Sequence, residues 1–302
     1  MSDQALKVAR DSWGLGDAPI TLVAARENQV FKTETEHGPA ALRLHRPGYR
    51  NATEIASEMQ WMAMLADRGV LLPKPIPTVT GALNQQAGDY VIDMLTWLDG
   101  VPLSQVTPTP VLYKRLGRLI GRMQNYAQDW LPPLEFERPV WDLVGDAPSW
   151  GRFWDSAYIS QDQRTQFQAL REKALDHLAT RGTDHHILIH ADLVADNVLV
   201  EEDKLYPIDF DDGGYGDPLF DLATITNRSL RFDQTGALRA AAIEGYQLVQ
   251  YSDLRSLPLF EALRAASYIG WISDRMDLPH SKDRLAQFLQ EAQARIAALE
   301  TS

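Results

Sequence analysis

The chain has 302 residues, 45% of them hydrophobic, and no cysteine. That length suits two lobes or one large domain with a sizeable core, and the missing cysteines exclude disulfides and thiolate-bound zinc. A formal net charge of −12, from 41 acidic against 29 basic residues, argues against nucleic-acid or anionic-membrane partners; it is the charge of an ordinary solubilising surface and would also suit a cationic substrate. Met1-Ser2-Asp3-Gln4 opens a polar segment without a cationic start or an apolar run, so a cytoplasmic location is expected.

Apolar spacing predicts a short helix from Ala5 to Trp13, ending near Gly14 and Gly16. Three alternating runs follow, Ile20 to Ala25, Val30 to Thr35 and Ala40 to His45, joined by short links that argue for an antiparallel meander. Asn51 to Arg68 reads as a helix with Ile55, Met59 and Met62 on one face, and Ile76 to Thr80 and Tyr90 to Leu95 read as two more strands. Residues 1–96 are therefore expected to form a small α+β lobe of five strands and one inserted helix.

Beyond Trp97-Leu98-Asp99-Gly100 helical patterns dominate residues 97–302. They run over Val111 to Gln128, Gln161 to Thr180, Pro218 to Leu230, Thr235 to Tyr251, Ser256 to Arg275 and Ser281 to Leu299. The Pro- and Trp-rich stretch from Leu131 to Trp154 carries no clear period; its Trp141, Trp150 and Trp154 are either packing groups or ring faces for a cationic substrate.

One stretch interrupts these helices with chemistry. Ile187-Leu188-Ile189 leads into His190-Ala191-Asp192-Leu193-Val194-Ala195-Asp196-Asn197, Val198-Leu199-Val200 leads out, and Leu205-Tyr206-Pro207-Ile208 delivers Asp209-Phe210-Asp211-Asp212. Short apolar strands that each end in a carboxylate or amide describe a site. Hard oxygen ligands such as Asn197 and Asp209 suit magnesium, which is usually shared with substrate phosphates. A further carboxylate, Asp192, fits the group that accepts or orients the proton of an attacking hydroxyl in phosphoryl transfer.

His190-x-Asp192-x4-Asn197 followed by Ile208-Asp209-Phe210-Asp211 resembles the catalytic and metal-binding motifs of the aminoglycoside phosphotransferase and choline kinase superfamily. Gly216-Asp217-Pro218-Leu219-Phe220-Asp221-Leu222-Ala223 looks like that superfamily's following segment. The resemblance implies a two-lobed protein-kinase-like fold and an ATP- and Mg2+-dependent phosphotransferase. It implies Asp192 as catalytic base, Asn197 and Asp209 as metal ligands, and His190 and Asp221 as scaffolding. Glu27-Asn28-Gln29-Val30-Phe31 resembles the nucleotide loop of homoserine-kinase-like members, which makes Asn28 a nucleotide contact. Arg43 falls where kinases place the strand lysine that meets phosphate, with Glu58 as its ion-pair partner and Glu54 as the rival. Met94-Leu95-Thr96-Trp97 would be the hinge that meets adenine, through Met94 and Thr96.

Three features depart from the pattern: Arg43 replaces Lys, Ala195-Asp196 replaces Pro-Gly, and Asp211-Asp212 replaces Phe-Gly. A guanidinium still clamps phosphate, with a different geometry, and an acid at Asp211 points to the small-molecule branch. The expected acceptor is a small-molecule hydroxyl, with aminoglycosides, choline-like amines, homoserine and sugars all open. A Ser/Thr protein kinase, a silent nucleotide-binding module and a metal phosphoesterase built on His185, His186, His190 and Asp192 are the alternatives.

Overall fold

The computed structural model describes residues 2–25, 28–229, 235–250 and 253–301. In chain order, helix α1 (Ser2–Trp13) precedes strands β1 (Thr21–Ala25), β2 (Gln29–Thr35) and β3 (Gly38–Leu44), helix α2 (Ala52–Asp67), and strands β4 (Asn84–Ala87), β5 (Tyr90–Thr96) and β6 (Val101–Pro102). Helices α3 (Pro110–Gln128) and α4 (Gln161–Arg181) lead to the short strands β7 (Ile187–Ile189), β8 (Val198–Glu201), β9 (Lys204–Pro207) and β10 (Gly214–Gly216). Helices α5 (Leu219–Ser229), α6 (Ala237–Gln247), α7 (Leu257–Ser273) and α8 (Ser281–Glu300) complete the order. Residues 26 and 27 of the first link, Leu230 at the end of one expected helix and Tyr251 at the end of another lie outside the described residues.

Two compact units result. The first comprises residues 1–106, 130–138 and 195–211, and the second residues 107–129, 139–194 and 212–302. The unit boundary therefore crosses the polar stretch twice, after Val194 and after Asp211.

The first unit holds an antiparallel five-stranded sheet in the order β1-β2-β3-β5-β4, as the meander predicts. Its fifth strand departs from expectation: Asn84–Ala87 pairs with β5, while Ile76 to Thr80 forms no strand and its preceding residue Pro75 makes an isolated bridge to Leu95. Pro75 and Pro77 bring no N–H to a ladder, and Thr78 N turns back to Ala82 O at 2.8 Å. The polar Asn-Gln-Gln-Ala run takes the edge instead, where one face meets water.

Register decides what this sheet presents. Leu42 pairs with Met94, Leu44 with Ile92 and Arg43 with Asp93, so alternation puts the apolar residues on one face and the charged pair on the other. The apolar face packs with Ala5, Ala9 and Trp13 of α1. Helix α2 opens with a capping box, Asn51 Oδ1 accepting from Glu54 N and Glu54 Oε2 from Asn51 N, each at 2.9 Å. That box fixes where the helix starts and hence where Glu58, one turn further on, emerges.

In the second unit, α3 and α6 approach through glycines. A Cβ on Gly117 would stand 1.9 Å from Ala242 O, and one on Gly245 would stand 1.9 Å from Lys114 O, so only hydrogen fits at both positions. Gln124 Nε2 donates to Pro218 O at 2.8 Å and Tyr246 Oη donates to Gln124 Oε1 at 2.7 Å, which ties this helix pair to the start of α5. Strands β7 and β10 pair antiparallel and deliver His190 at the end of β7.

Candidate active site

In the first unit Arg43, Asp93, His45 and Glu58 form one buried polar cluster. Asp93 accepts from Arg43 Nε at 2.8 Å and Nη2 at 2.7 Å, and Arg43 Nη2 also donates to Glu58 Oε1 at 2.9 Å. His45 Nε2 lies 2.6 Å from Asp93 Oδ2. Glu54 is taken up by its capping box, so Glu58 alone of the two reaches Arg43. Burial by itself raises a carboxyl, yet the Arg43 and His45 charges outweigh it and hold Asp93 well below the ordinary carboxylate range. Burial likewise opposes the charged forms of Arg43 and His45, but Asp93 and, after it, Glu58 push both upward.

A second arginine closes the cluster. Arg138 Nη1 lies 3.5 Å from Glu58 Oε2, and its Nη2 donates to Phe210 O at 2.9 Å and Asp211 O at 2.7 Å. Burial lowers its pKa, partly offset by Glu58. Asn28 Nδ2 donates to Asp211 Oδ2 at 3.3 Å, and Asn28 Oδ1 accepts from Arg46 N at 2.9 Å. The side chain expected to meet nucleotide therefore also cross-links its loop to Asp211. Asp211 Oδ1 is buried without a hydrogen-bond partner, 3.9 Å from His45 Nδ1.

Asn197 and Asp209 flank one hairpin. Strands β8 and β9 pair Val198 with Pro207, Leu199 with Tyr206 and Val200 with Leu205, and Ile208 N donates to Asn197 O at 2.9 Å. The hairpin thus brings together two residues twelve positions apart. Asp209 has φ +63°, a left-handed conformation that Asp tolerates better than most residues and that often marks a functional position. One amide oxygen and one carboxylate are hard donors suited to magnesium, with phosphate and water completing its shell. Among the described residues no group of three or more His, Asp or Glu is assembled to hold a metal by protein ligands alone. Such a pair fits a metal shared with substrate.

Met94 is fully buried within β5, and its carbonyl accepts from Ile76 N at 2.8 Å. Thr96 ends the strand, its Oγ1 accepting from Lys74 N at 2.9 Å. Trp97, next in line, carries Lys32 Nζ 4.5 Å from its ring centre.

In the second unit the segment carrying Asp192 is braced from beneath. Both oxygens of the buried Asp221 accept backbone N–H groups, from His190 at 2.9 Å and from Ala191 at 2.8 Å. Burial raises the Asp221 pKa, against the His190 charge and these two donors. The turn over Ala191, at φ +66° with Asp192 N donating to His190 O at 2.8 Å, is strained, and the carboxylate holds it. His190 itself is fully buried.

Asp192 has a side chain 25% exposed and accepts from Arg264 Nη2 at 2.7 Å. His185, a residue of the phosphoesterase alternative, instead bonds Asp217 Oδ2 at 2.7 Å, while Asp217 Oδ1 accepts Leu219 N at 2.8 Å and caps α5. Ring faces of the Trp-rich stretch meet the protein's own cations: Arg264 Cζ lies 4.3 Å from the Trp150 centre and Arg171 Cζ 4.5 Å from that of Trp154.

Arg138, Asp93 and Arg264 escape sequence reasoning as site residues. Asp93 and Arg264 do leave a signal, since each is a lone charge inside an apolar run, Tyr90 to Leu95 and Ala262 to Ile272. Arg138 leaves none.

The profile of the phosphotransferase enzyme family matches residues 20–260. An amicoumacin kinase of Bacillus subtilis (strain 168) is 24% identical over 221 residues, 70% of this chain but only 64% of that protein. A homoserine kinase of Polaromonas naphthalenivorans (strain CJ2) is 26% identical over 277 residues, 85% of this chain and 81% of the relative. Among solved structures, amicoumacin kinase hAmiN in complex with AMP-PNP, Ca2+ and Ami superposes with a TM-score of 0.80 at 21% identity, covering 97% of this chain and 93% of that one. With the kinase-like fold present and four fifths of the sequence matched, the chain belongs to the phosphotransferase enzyme family, whose kinases use ATP with a divalent metal to phosphorylate small molecules.

Proposed function

We propose that the chain transfers the γ-phosphoryl group of ATP, with Mg2+, to a hydroxyl of a small molecule. The observation that carries this reading is the Asp192 segment: a partly exposed carboxylate on a strained turn, held by Asp221 beneath and Arg264 beside it. Strain that is built in and braced at an acidic side chain supports a chemical role for that side chain.

Asp192 is assigned to accept a hydrogen bond from the acceptor hydroxyl, orient its oxygen for in-line attack and receive its proton. Asn197 and Asp209 are assigned to the metal, which when bound neutralises charge on the phosphates. Arg43 uses Nε and Nη2 on Asp93 and Glu58, and its Nη1 is assigned to phosphate. Asn28 holds the nucleotide loop to Asp211, and the β5 end from Met94 through Thr96 is assigned to the adenine side. Relatives named for amicoumacin and homoserine support a small hydroxylated acceptor over a protein.

The test is ADP release measured with a panel of hydroxylated metabolites, in the wild type and in Asp192→Ala. A positioned general base contributes about 10²–10⁴-fold, so the variant should lose at least two orders of magnitude in kcat while still binding ATP. Wild-type turnover in Asp192→Ala would end the assignment.

A further inference from the structure

Arg264 sits in the middle of α7 between buried Leu263, Ala265 and Ala266 and is itself 0% exposed. A guanidinium has five N–H donors. Nη2 uses its two on Asp192 Oδ1 and the Tyr268 hydroxyl, each at 2.7 Å. Nε and Nη1 are buried with no hydrogen-bond partner. The ring centres of Trp150, Tyr268 and Phe220 lie 4.3, 4.2 and 5.3 Å from Cζ. Ring faces attract the cation, but they supply no acceptor in the guanidinium plane.

Donors of a buried charge left without acceptors are costly and call for an explanation. Bracing Asp192 does not require them, because Nη2 alone does that. They sit next to the carboxylate assigned to orient the acceptor hydroxyl, behind the partly exposed rings of Trp150 and Tyr268. The space where an ammonium group would meet those ring faces already holds a positive charge, which repels a second one. What this corner lacks is an anion with oxygen acceptors.

We propose that the phosphoryl acceptor is a hydroxylated carboxylic acid, and that Arg264 binds its carboxylate through Nε or Nη1 while Nη2 keeps Asp192 in place. This rests on the assignment of Asp192 above and narrows the substrate class of the same site. The acidic surface, which at first favours cationic acceptors, is overruled locally by one buried arginine.

The test uses matched pairs that differ only in the carboxylate. Hydroxy acids and hydroxy amino acids of three to six carbons, homoserine and 4-hydroxybutyrate among them, are titrated calorimetrically beside their decarboxylated counterparts, such as 3-aminopropan-1-ol. Titrations run with AMP-PNP and Mg2+ present, on the wild type, Arg264→Lys and Arg264→Gln. Hydrogen bonds to a charged group predict that at least one acid binds roughly ten-fold or more tighter than its counterpart. Arg264→Gln should bring that ratio to near one, with Arg264→Lys between. Equal binding within every pair, binding by no acid in the panel, or a preference that survives Arg264→Gln overturns the proposal. The wild-type comparison decides it even if a variant fails to fold. Turnover of a bound acid by Asp192→Asn at the wild-type rate would instead defeat the catalytic assignment of Asp192 and leave the carboxylate preference standing.

Discussion

Replacing Asp93 by Asn removes one negative charge from the centre of the Arg43, His45 and Glu58 cluster without changing its shape. Three close contacts, at 2.8, 2.7 and 2.6 Å, converge on a carboxylate that is fully buried. After the change Arg43 keeps only Glu58, and His45 loses its counter-ion. Breaking a buried pair by neutralising one member typically costs about 3–5 kcal/mol, because the partner's charge stays buried. At about 2–4 °C per kcal/mol for a protein of this size, the midpoint should fall by roughly 6–20 °C at pH 7. Thermal melts followed by circular dichroism measure this directly.

The pH dependence gives an independent check. Asp93 is held below its ordinary value, so its contribution is complete above the unfolded carboxylate pKa and is lost as pH falls through the lower folded value. The gap between wild type and Asp93→Asn should therefore narrow on acidification below about pH 4. Arg43→Met combined with Asp93→Leu should lose less stability than Asp93→Asn alone, since no unpaired arginine remains. A midpoint shift for Asp93→Asn equivalent to less than about 1 kcal/mol, the range of an exposed ion pair, would refute the reasoning.

Other consequences are as direct. His45 has a raised folded pKa, so its stabilisation is present below the unfolded value and disappears as pH rises through the folded one; His45→Gln should flatten the loss of stability on the alkaline side in pH-resolved urea melts. Asp221→Ala leaves two buried backbone N–H groups without their acceptor, at about 1–3 kcal/mol each, and loosens the turn before Asp192. It should lower kcat by roughly ten-fold or more with little change in KM for ATP, as steady-state assays would register. Gly245→Ala places a methyl 1.9 Å from Lys114 O and should destabilise the α3–α6 pair by about 1–3 kcal/mol in urea unfolding; an unchanged midpoint would mean that the helices separate freely.

Much of this was legible from residue order. Local patterns carry through chain neighbours: the period of Leu112, Leu116 and Ile120 predicts α3, the alternation through Leu42 and Leu44 predicts β3, and the apolar face of Ile55, Met59 and Met62 predicts α2. Residues 84–87 escaped because an edge strand needs only one apolar face and a partner, and a polar Asn-Gln-Gln-Ala run shows neither. The motif from His190 to Asp211 was readable for a different reason. Asn197 and Asp209 are joined by a short hairpin, so their proximity is itself a local property of the chain.

What remained hidden depends on distance along the chain. Arg43 and Asp93 are 50 positions apart and Asp192 and Arg264 are 72 apart, and nothing local in either member of a pair announces the other. By itself the sequence determined the family, the reaction class and the chain positions of the acidic groups, because short-range spacing encodes them. Only tertiary structure decided that Arg43 is held by two carboxylates and that an arginine sits beside Asp192 with donors to spare. Strand register and helix packing bring remote charges together, and burial turns those contacts from weak surface pairs into strong constraints.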